Sequence, residues 1–395
     1  MSGFIVAVRP YPDGMHYLDH AATTPVLDEV REAMLACLEN DFGNPSSLHG
    51  PGRKARQLVD DARDRVALAI GADPSEIVFT GGGTEADNLA LKGAAHKRRG
   101  NGDHLIVTAF EHHAVLETAE SLQAAGWELT VSPVDATGHV GPTAIAEAVR
   151  PSTVLASVMT VNNEVGTVQD IETITAAVRE TNERVLVHTD AVQALGSVPV
   201  NVRAWDVDLA AFSAHKLGGP KGVGALFIKA RTPVSPVIHG GGQERGLRSG
   251  TLNVPGIVGF GVAAEIAAKE VGEKAERLAR LRDRLLAGIR SIDPDIQVNG
   301  DLERRIPGNL NLAFGGADAE TLLLLLDRAG IACSSGSACA SGAIDPSHVL
   351  SAMGMSVDRA GSSMRLSLGR SSTDADVDAV LDALPEALRR ARRAA

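Results

Sequence analysis

Apolar positions along this chain follow two rhythms. Short unbroken runs, "EIVFT" (76–80), "HLIVTA" (104–109), "ELTVSPV" (128–134), "VLASVMT" (154–160), "RVLVHTD" (184–190), "DLAAFSA" (208–214) and "VGALFIK" (223–229), end in Gly or polar residues and read as strands. Between the first six lie stretches with helical spacing, among them "EADNLALKGAAHKR" (85–98) and "IETITAAVRETNER" (171–184). Strands and helices interleaved in this way predict an α/β fold with a largely parallel sheet. After "HGGGQERGLRSGTLNVPG" (239–256) the rhythm changes to a long helical pattern over 257–292, then strand-like "NLNLAF" (309–314), a helix through "AETLLLLLDRAG" (319–330) and a last strand "MRLSLG" (364–369). The change predicts a large domain over 15–258 and a smaller α+β domain built from 1–14 and 259–395. There is no internal repeat.

Composition narrows the function classes. The 395 residues carry 38 Lys and Arg against 49 Asp and Glu, a formal charge of -11, so the bulk surface repels polyanions and anionic membranes, and nucleic acid is not expected as a direct partner. The one basic run, "ALRRARRAA" (387–395), reads either as a solvated helix end or as a docking tail. Three cysteines, Cys37, Cys333 and Cys339, are too few for a disulfide framework and show no zinc-type spacing, so no metal site is expected. No signal-peptide pattern opens the sequence and no apolar run is long enough to span a bilayer, so a cytoplasmic protein is expected.

Candidate chemistry gathers at the predicted strand ends. In "EIVFTGGGTEADNLALKG" a strand is followed by Gly81–Gly83 and a helix start at Thr84, which lets the backbone approach a ligand and offers helical N–H groups to a phosphate. The same letters also suit an ordinary turn in which Thr84 and Asp87 form a capping box. They fit neither a P-loop nor a dinucleotide fingerprint, so ATP and NAD are not favoured. Asp190 ends one strand, with Gln193 three residues on, and "DLAAFSAHKLGGPKGVG" sets Ser213, His215 and Lys216 at the end of the next. A lysine there is either a surface residue at a turn or a poorly solvated amine that attacks carbonyls. "TAFEHHAVLETA" adds His112 or His113 as a flat partner for a ring. A phosphate cradle, a strand-end acid and a strand-end amine along one sheet are the parts that pyridoxal phosphate asks for together.

"SSGSACASGAIDPSHVL" (334–350) places Cys339 among Ser, Ala and Gly, the composition of a flexible chain, with no large apolar neighbour to be buried against. Gly336 and Gly342 allow such a segment to swing.

These segments resemble, in order, those of the cysteine desulfurases of the nitrogen-fixation and iron-sulfur type, in the class-V aminotransferase family with the fold-type I pyridoxal-phosphate architecture. The resemblance runs from "YLDHAATTP" (17–25) through "FGNPSSLH", "EIVFTGGGTEADNLA", "EHHAVLE", "VNNEVGTVQDI", "HTDAVQ", "FSAHKLGGPKGVGAL", "HGGGQERGLRSGT", "SSGSAC" and "PSHVL" to "RLSLGR" (365–370). It implies that Lys216 bonds the aldehyde of pyridoxal 5'-phosphate, that Asp190 faces its ring nitrogen, and that Gln193 meets its ring hydroxyl. His112 would stack on the ring and carry protons; Gly83, Thr84, Ser213 and His215 would hold the phosphate, with Thr251 of the partner subunit in a homodimer. Asn163 and Arg365 would hold L-cysteine, and Cys339 would take its sulfur as a persulfide for an acceptor such as an iron-sulfur scaffold or a thiolation enzyme. A selenocysteine lyase, an aminotransferase of the same fold, or a non-catalytic sulfur-carrier scaffold are the other readings. Two departures stand out. The family's Ser-Gly-Ala-Thr reads Gly81-Gly82-Gly83-Thr84 here, one hydroxyl short, and Cys333 is either an inert strand residue or a second thiol.

Overall fold

A computed structural model describes residues 12, 14–335 and 347–394. Cys339, Gly336 and Gly342 lie outside the described residues. In chain order the N-terminal half runs β1 (His16–Tyr17), α1 (Asp28–Asn40), α2 (Gly50–Ile70), β2 (Ile77–Thr80), α3 (Gly83–Arg98), β3 (His104–Thr108), α4 (His113–Ala124), β4 (Glu128–Ser132), α5 (Pro142–Ala148), β5 (Thr153–Ser157), α6 (Ile171–Thr181) and β6 (Leu186–Asp190). The rest runs β7 (Leu209–Ser213), β8 (Gly224–Ile228), α7 (Val254–Ile292), β9 (Gln297–Asn299), β10 (Asn309–Ala313), α8 (Ala319–Arg328), β11 (Ile331–Ala332), α9 (His348–Ala352), α10 (Val357–Gly361), β12 (Ser363–Ser367) and α11 (Asp374–Ala394). Among the described residues no helix is long and apolar enough to cross a membrane.

The chain divides into two compact units. The larger takes 26–162 and 167–271; the smaller takes the described residues up to Pro25, residues 163–166, and Gly272 onward. The passage between 271 and 272 falls inside α7, beyond the 258/259 boundary expected above, because one uninterrupted helix carries the chain across and no linker composition marks the place.

In the larger unit a seven-stranded sheet runs β2-β8-β7-β6-β5-β3-β4. All strands are parallel except β8, which is antiparallel to both neighbours. The central strands are buried along their whole length, which is why they read as apolar runs without alternation. At the edge, β4 alternates less cleanly and carries the exposed Glu128, which pairs with Arg150 at 2.7 Å and discourages further strand addition. On one face, Val78, Leu105, Leu155, Leu186 and Leu226 pack with Ala86, Leu89, Ala90 and Ala94 of α3 and Val115, Ala119 and Leu122 of α4. The small residues of α3 let it lie close on the sheet. Local signals set the ends of α2: His49 caps it through Nδ1, which accepts from Gly52 N–H at 3.2 Å, and Gly71 closes it at φ 72°.

The smaller unit holds an antiparallel sheet β12-β10-β9 and the parallel pair β1-β11. Its core joins Leu310, Leu312, Met364 and Leu366 of the sheet to Leu285 and Ile289 of α7, Leu322 and Leu326 of α8, and Val380 and Leu384 of α11.

Candidate active site

The parallel strands of the larger unit bring the expected residues to one edge of the sheet. Ser157 aligns with His188 and Asp190 with Ala211, so the carboxyl ends of β5, β6 and β7 lie side by side. Gly224 opens β8 at the same edge, opposite both Ser213 and Thr80. A Cβ on Gly224 would sit 2.6 Å from the Phe212 carbonyl oxygen and 2.7 Å from the Gly82 carbonyl carbon; only a glycine lets the 81–83 turn approach so closely. A Cβ on Gly83 would come within 2.7 Å of Val192 Cγ2 and 3.6 Å of Ser213 Cβ, so the start of α3, the turn after Asp190 and the end of β7 converge.

The capping-box alternative for Thr84 and Asp87 is not what forms. Gly82 is the N-cap of α3, with no side-chain cap, which leaves the first-turn N–H groups without partners inside the helix, and Asp87 is buried. In its place Gly81 N–H donates to Glu85 Oε2 at 2.9 Å, and Glu85 pairs with Arg248 Nε at 2.8 Å. Such a helix start suits a phosphate.

Asp190 is 5% exposed and accepts the Val192 N–H at 2.9 Å. Desolvation pushes its carboxyl up to about 6, against that hydrogen bond and the nearby Lys216 ammonium. Leu186, His188 and Asp190 share one face of β6, the face turned to α3. Two more acids lie buried behind. Burial pushes Glu111 up to about 8 although Thr108 Oγ1 and the Met159 N–H each donate to it at 2.8 Å. Asp87 is raised well above the ordinary carboxylate range by burial and then by the charges of Asp190 and Glu111. Desolvation lowers His188 to about 3; its Nδ1 lies 2.8 Å from Ser157 Oγ and its Nε2 3.5 Å from Asp87 Oδ1. His215 falls to about 4 by burial and the charges of Lys216 and Lys221, and is a neutral imidazole. Sequence reasoning missed Glu111, His188 and the buried role of Asp87. Only the period-two face of β6 could have signalled His188.

His112 caps α4: its Nδ1 accepts the Ala114 N–H at 3.0 Å, which fixes the ring at the end of β3. His113 turns instead along α4 toward Glu117, 3.5 Å away. Gln193 is buried and Lys216 half-buried, the latter in a single 3₁₀ turn that directly follows β7. Thr251 is exposed. The donor set of this edge fits pyridoxal phosphate: helix N–H groups for the phosphate, a buried carboxylate for a protonated ring nitrogen, and a primary amine for the aldehyde.

The smaller unit holds the two remaining described candidates. Arg365 is 2% exposed, so it is no surface arginine; Nη1 donates to the Asn163 carbonyl and Nη2 to Asp19 Oδ1, both at 2.8 Å. Asn163 Oδ1 is buried with no hydrogen-bond partner among the described residues, an acceptor open to a ligand. Burial pushes the Cys333 thiol up to about 12, which disfavours its thiolate, and its Sγ contacts Met364 Sδ at 3.6 Å.

A profile of the class-V aminotransferase family matches residues 16–380. The cysteine desulfurase IscS of Clostridium botulinum (strain Hall) is 47% identical over 378 residues, 95% of each chain. The cysteine desulfurase IscS of Methylococcus capsulatus is 48% identical over 379 residues, 95% of this chain and 93% of its own. Among solved structures, a NifS-like protein superposes with a TM-score of 0.90 at 41% identity, covering 95% of this chain and all of the other. The chain therefore belongs to the class-V aminotransferase family, on its cysteine desulfurase branch, and is a pyridoxal 5'-phosphate enzyme.

Proposed function

We propose that this enzyme takes sulfur from L-cysteine, leaves L-alanine, and carries the sulfur as a persulfide on Cys339. Substrate and Cys339 thiol go in; alanine and a Cys339 persulfide come out. The Cβ–S bond of the substrate breaks, an S–S bond to Cys339 forms, and a proton replaces sulfur on Cβ, so no outside oxidant or reductant is needed. When bound, pyridoxal phosphate supplies an electron sink that labilises the substrate's Cα–H bond.

The chain's own groups do the rest. Lys216 is the amine that would hold the cofactor's aldehyde, and the same amine would take and return the substrate's Cα proton. Asp190 keeps its single negative charge beside the ring nitrogen, where a buried carboxylate stabilises a cation. Gly83, Thr84, Ser213 and His215 hold the phosphate, and Gln193 the ring hydroxyl. His112, its Nδ1 engaged by its own helix, would stack through the face of its ring and carry protons, including that of the Cys339 thiol, which at an ordinary pKa of about 8.5 is only slightly ionised. Asn163 and Arg365 hold the substrate, and Thr251 reaches the phosphate of the partner subunit in a homodimer. The persulfide then goes to an acceptor protein, an iron-sulfur scaffold or a thiolation enzyme, in the cytoplasm.

The observation that carries this reading is the placement of Asp190 and Lys216 at the ends of adjacent parallel strands, with Lys216 near enough to lower the carboxyl of Asp190. Its test is Cys339→Ser. The variant is expected to keep the visible absorbance of bound cofactor and to lose cysteine-dependent alanine and sulfide. Undiminished desulfuration would reject the relay, and glutamate formed from an added keto acid would indicate a transaminase.

A further inference from the structure

Residues 163–166 form a strap that belongs to the smaller unit although the chain on both sides belongs to the larger. Its four successive carbonyls all accept hydrogen bonds there. Asn163 takes one from Arg365 Nη1 at 2.8 Å, Glu164 from Asn309 Nδ2 at 3.3 Å and Asn311 Nδ2 at 3.2 Å, Val165 from Arg305 Nη2, and Gly166 from the Ile306 N–H at 2.9 Å. Gly166 sits at φ 76°, and a Cβ there would meet the Asn309 side chain at 2.8 Å. A backbone held this fully needs no anchoring from side chains.

The Glu164 side chain is nonetheless 2% exposed, and its Oε2 accepts from Ser347 Oγ at 2.6 Å. Ser347 also caps α9, its Oγ accepting the Leu350 N–H at 3.2 Å. A cap does not require a carboxylate behind it: Ser356 caps α10 at the surface through its hydroxyl, accepting from the Arg359 N–H at 3.3 Å. Burying a carboxylate costs free energy, so the Glu164–Ser347 bond fixes something more than a helix end. Ser334, on the other side of Cys339 in sequence, exchanges both backbone hydrogen bonds with Arg365, at 2.6 and 3.2 Å. A continuous chain of bonds thus runs Ser334–Arg365–Asn163–Glu164–Ser347.

We propose that Glu164 is a positioning residue for sulfur transfer: its grip on Ser347 holds one end of the cysteine-bearing segment in register with Asn163 and Arg365, while Ser334 holds the other end to Arg365 itself. This rests on the reading of Asn163 and Arg365 as substrate ligands and of Cys339 as sulfur acceptor. The strap is then the element through which substrate binding and thiol delivery share one frame.

The test uses holoenzyme of Glu164→Ala, Ser347→Asp and the double variant Glu164→Gln/Ser347→Asp. Aspartate still caps α9 but repels Glu164, and in the double variant the glutamine amide donates to it, restoring the link. Single variants are expected to slow first-turnover persulfide formation on Cys339 by roughly tenfold to a hundredfold, as a misplacement of about 1 Å does, with KM for cysteine and the cysteine-induced absorbance change within about twofold. The double variant recovers most of the rate. Single variants that transfer at the wild-type rate would overturn the inference. So would a double variant no faster than Ser347→Asp alone, or losses that follow only the unfolding midpoint. Cys339→Ser, run beside them, separates the two claims: full alanine formation in it rejects the underlying relay, whereas loss in Cys339→Ser without loss in the Glu164 variants rejects the role of Glu164 alone.

Discussion

Three carboxyl groups, Asp87, Glu111 and Asp190, share a buried region in which Lys216 is the cation that acts on Asp190. Desolvation raises all three, and Asp190, at the strand end and at about 6, is raised less than Glu111 at about 8. Asp190→Asn keeps the shape and removes that charge. Alanine production is expected to fall by roughly 10²–10⁴-fold at unchanged far-ultraviolet dichroism, and a rate near wild type would show that the charge is not used. Glu111 gives a pH prediction. Its native carboxyl holds a proton up to about 8, whereas the unfolded one releases it near the model-compound 4.5, so the native state binds the extra proton between those limits. Its contribution to stability is therefore full at the acid end and is lost as pH rises toward 8. Glu111→Gln, which keeps an oxygen for Thr108 and Met159, is expected to flatten that decline when urea midpoints are compared at the two ends of the window.

At the scale of elements, the glycine turn before α3 does two jobs. It packs against the opening of β8, and it exposes helix N–H groups next to Ser213. Gly83→Ala would press its Cβ on Val192, two residues past Asp190, and so disturb phosphate and ring partners together. Cofactor dissociation is expected to rise by about tenfold, read by loss of visible absorbance on dilution; unchanged retention would place the phosphate elsewhere. The strands of this sheet and the helices α3, α6 and α7 were legible because buried parallel strands appear as apolar runs and amphipathic helices as a 3.6 rhythm. β1, β9 and β11, two or three residues each, carry no periodicity to read. Asp190 and Lys216 were legible because they end such runs. Glu164 and Asp19 were not: Glu164 acts through a strap whose neighbours in space, Asn309, Asn311 and Ser347, lie more than a hundred residues away, and Asp19 through Arg365. The turn that lacks a hydroxyl at Gly81 is held by the Glu85 carboxylate, which accepts the Gly81 N–H.

For the whole molecule, the division of labour follows the two units. The larger supplies every described candidate for holding the cofactor, and the smaller supplies Asn163 and Arg365 together with both residues that bracket the cysteine segment. The basic C-terminal run is partly spent within the smaller unit, where Arg392 pairs with Asp293 at 2.7 Å and donates to the Gly315 carbonyl at 3.0 Å. With a net charge of -11, acceptors are expected to meet this surface through local patches and not through its overall field. In the proposed reaction Lys216 and Cys339 act on one substrate molecule. Mass spectrometry of the Cys339 peptide after a single addition of L-cysteine to the holoenzyme tests this directly. The expected result is a mass increase of one sulfur atom on Cys339 in the wild type, reversed by reductant, and none in Lys216→Ala; sulfur on Cys333 instead, or on Cys339 regardless of Lys216, would overturn the relay.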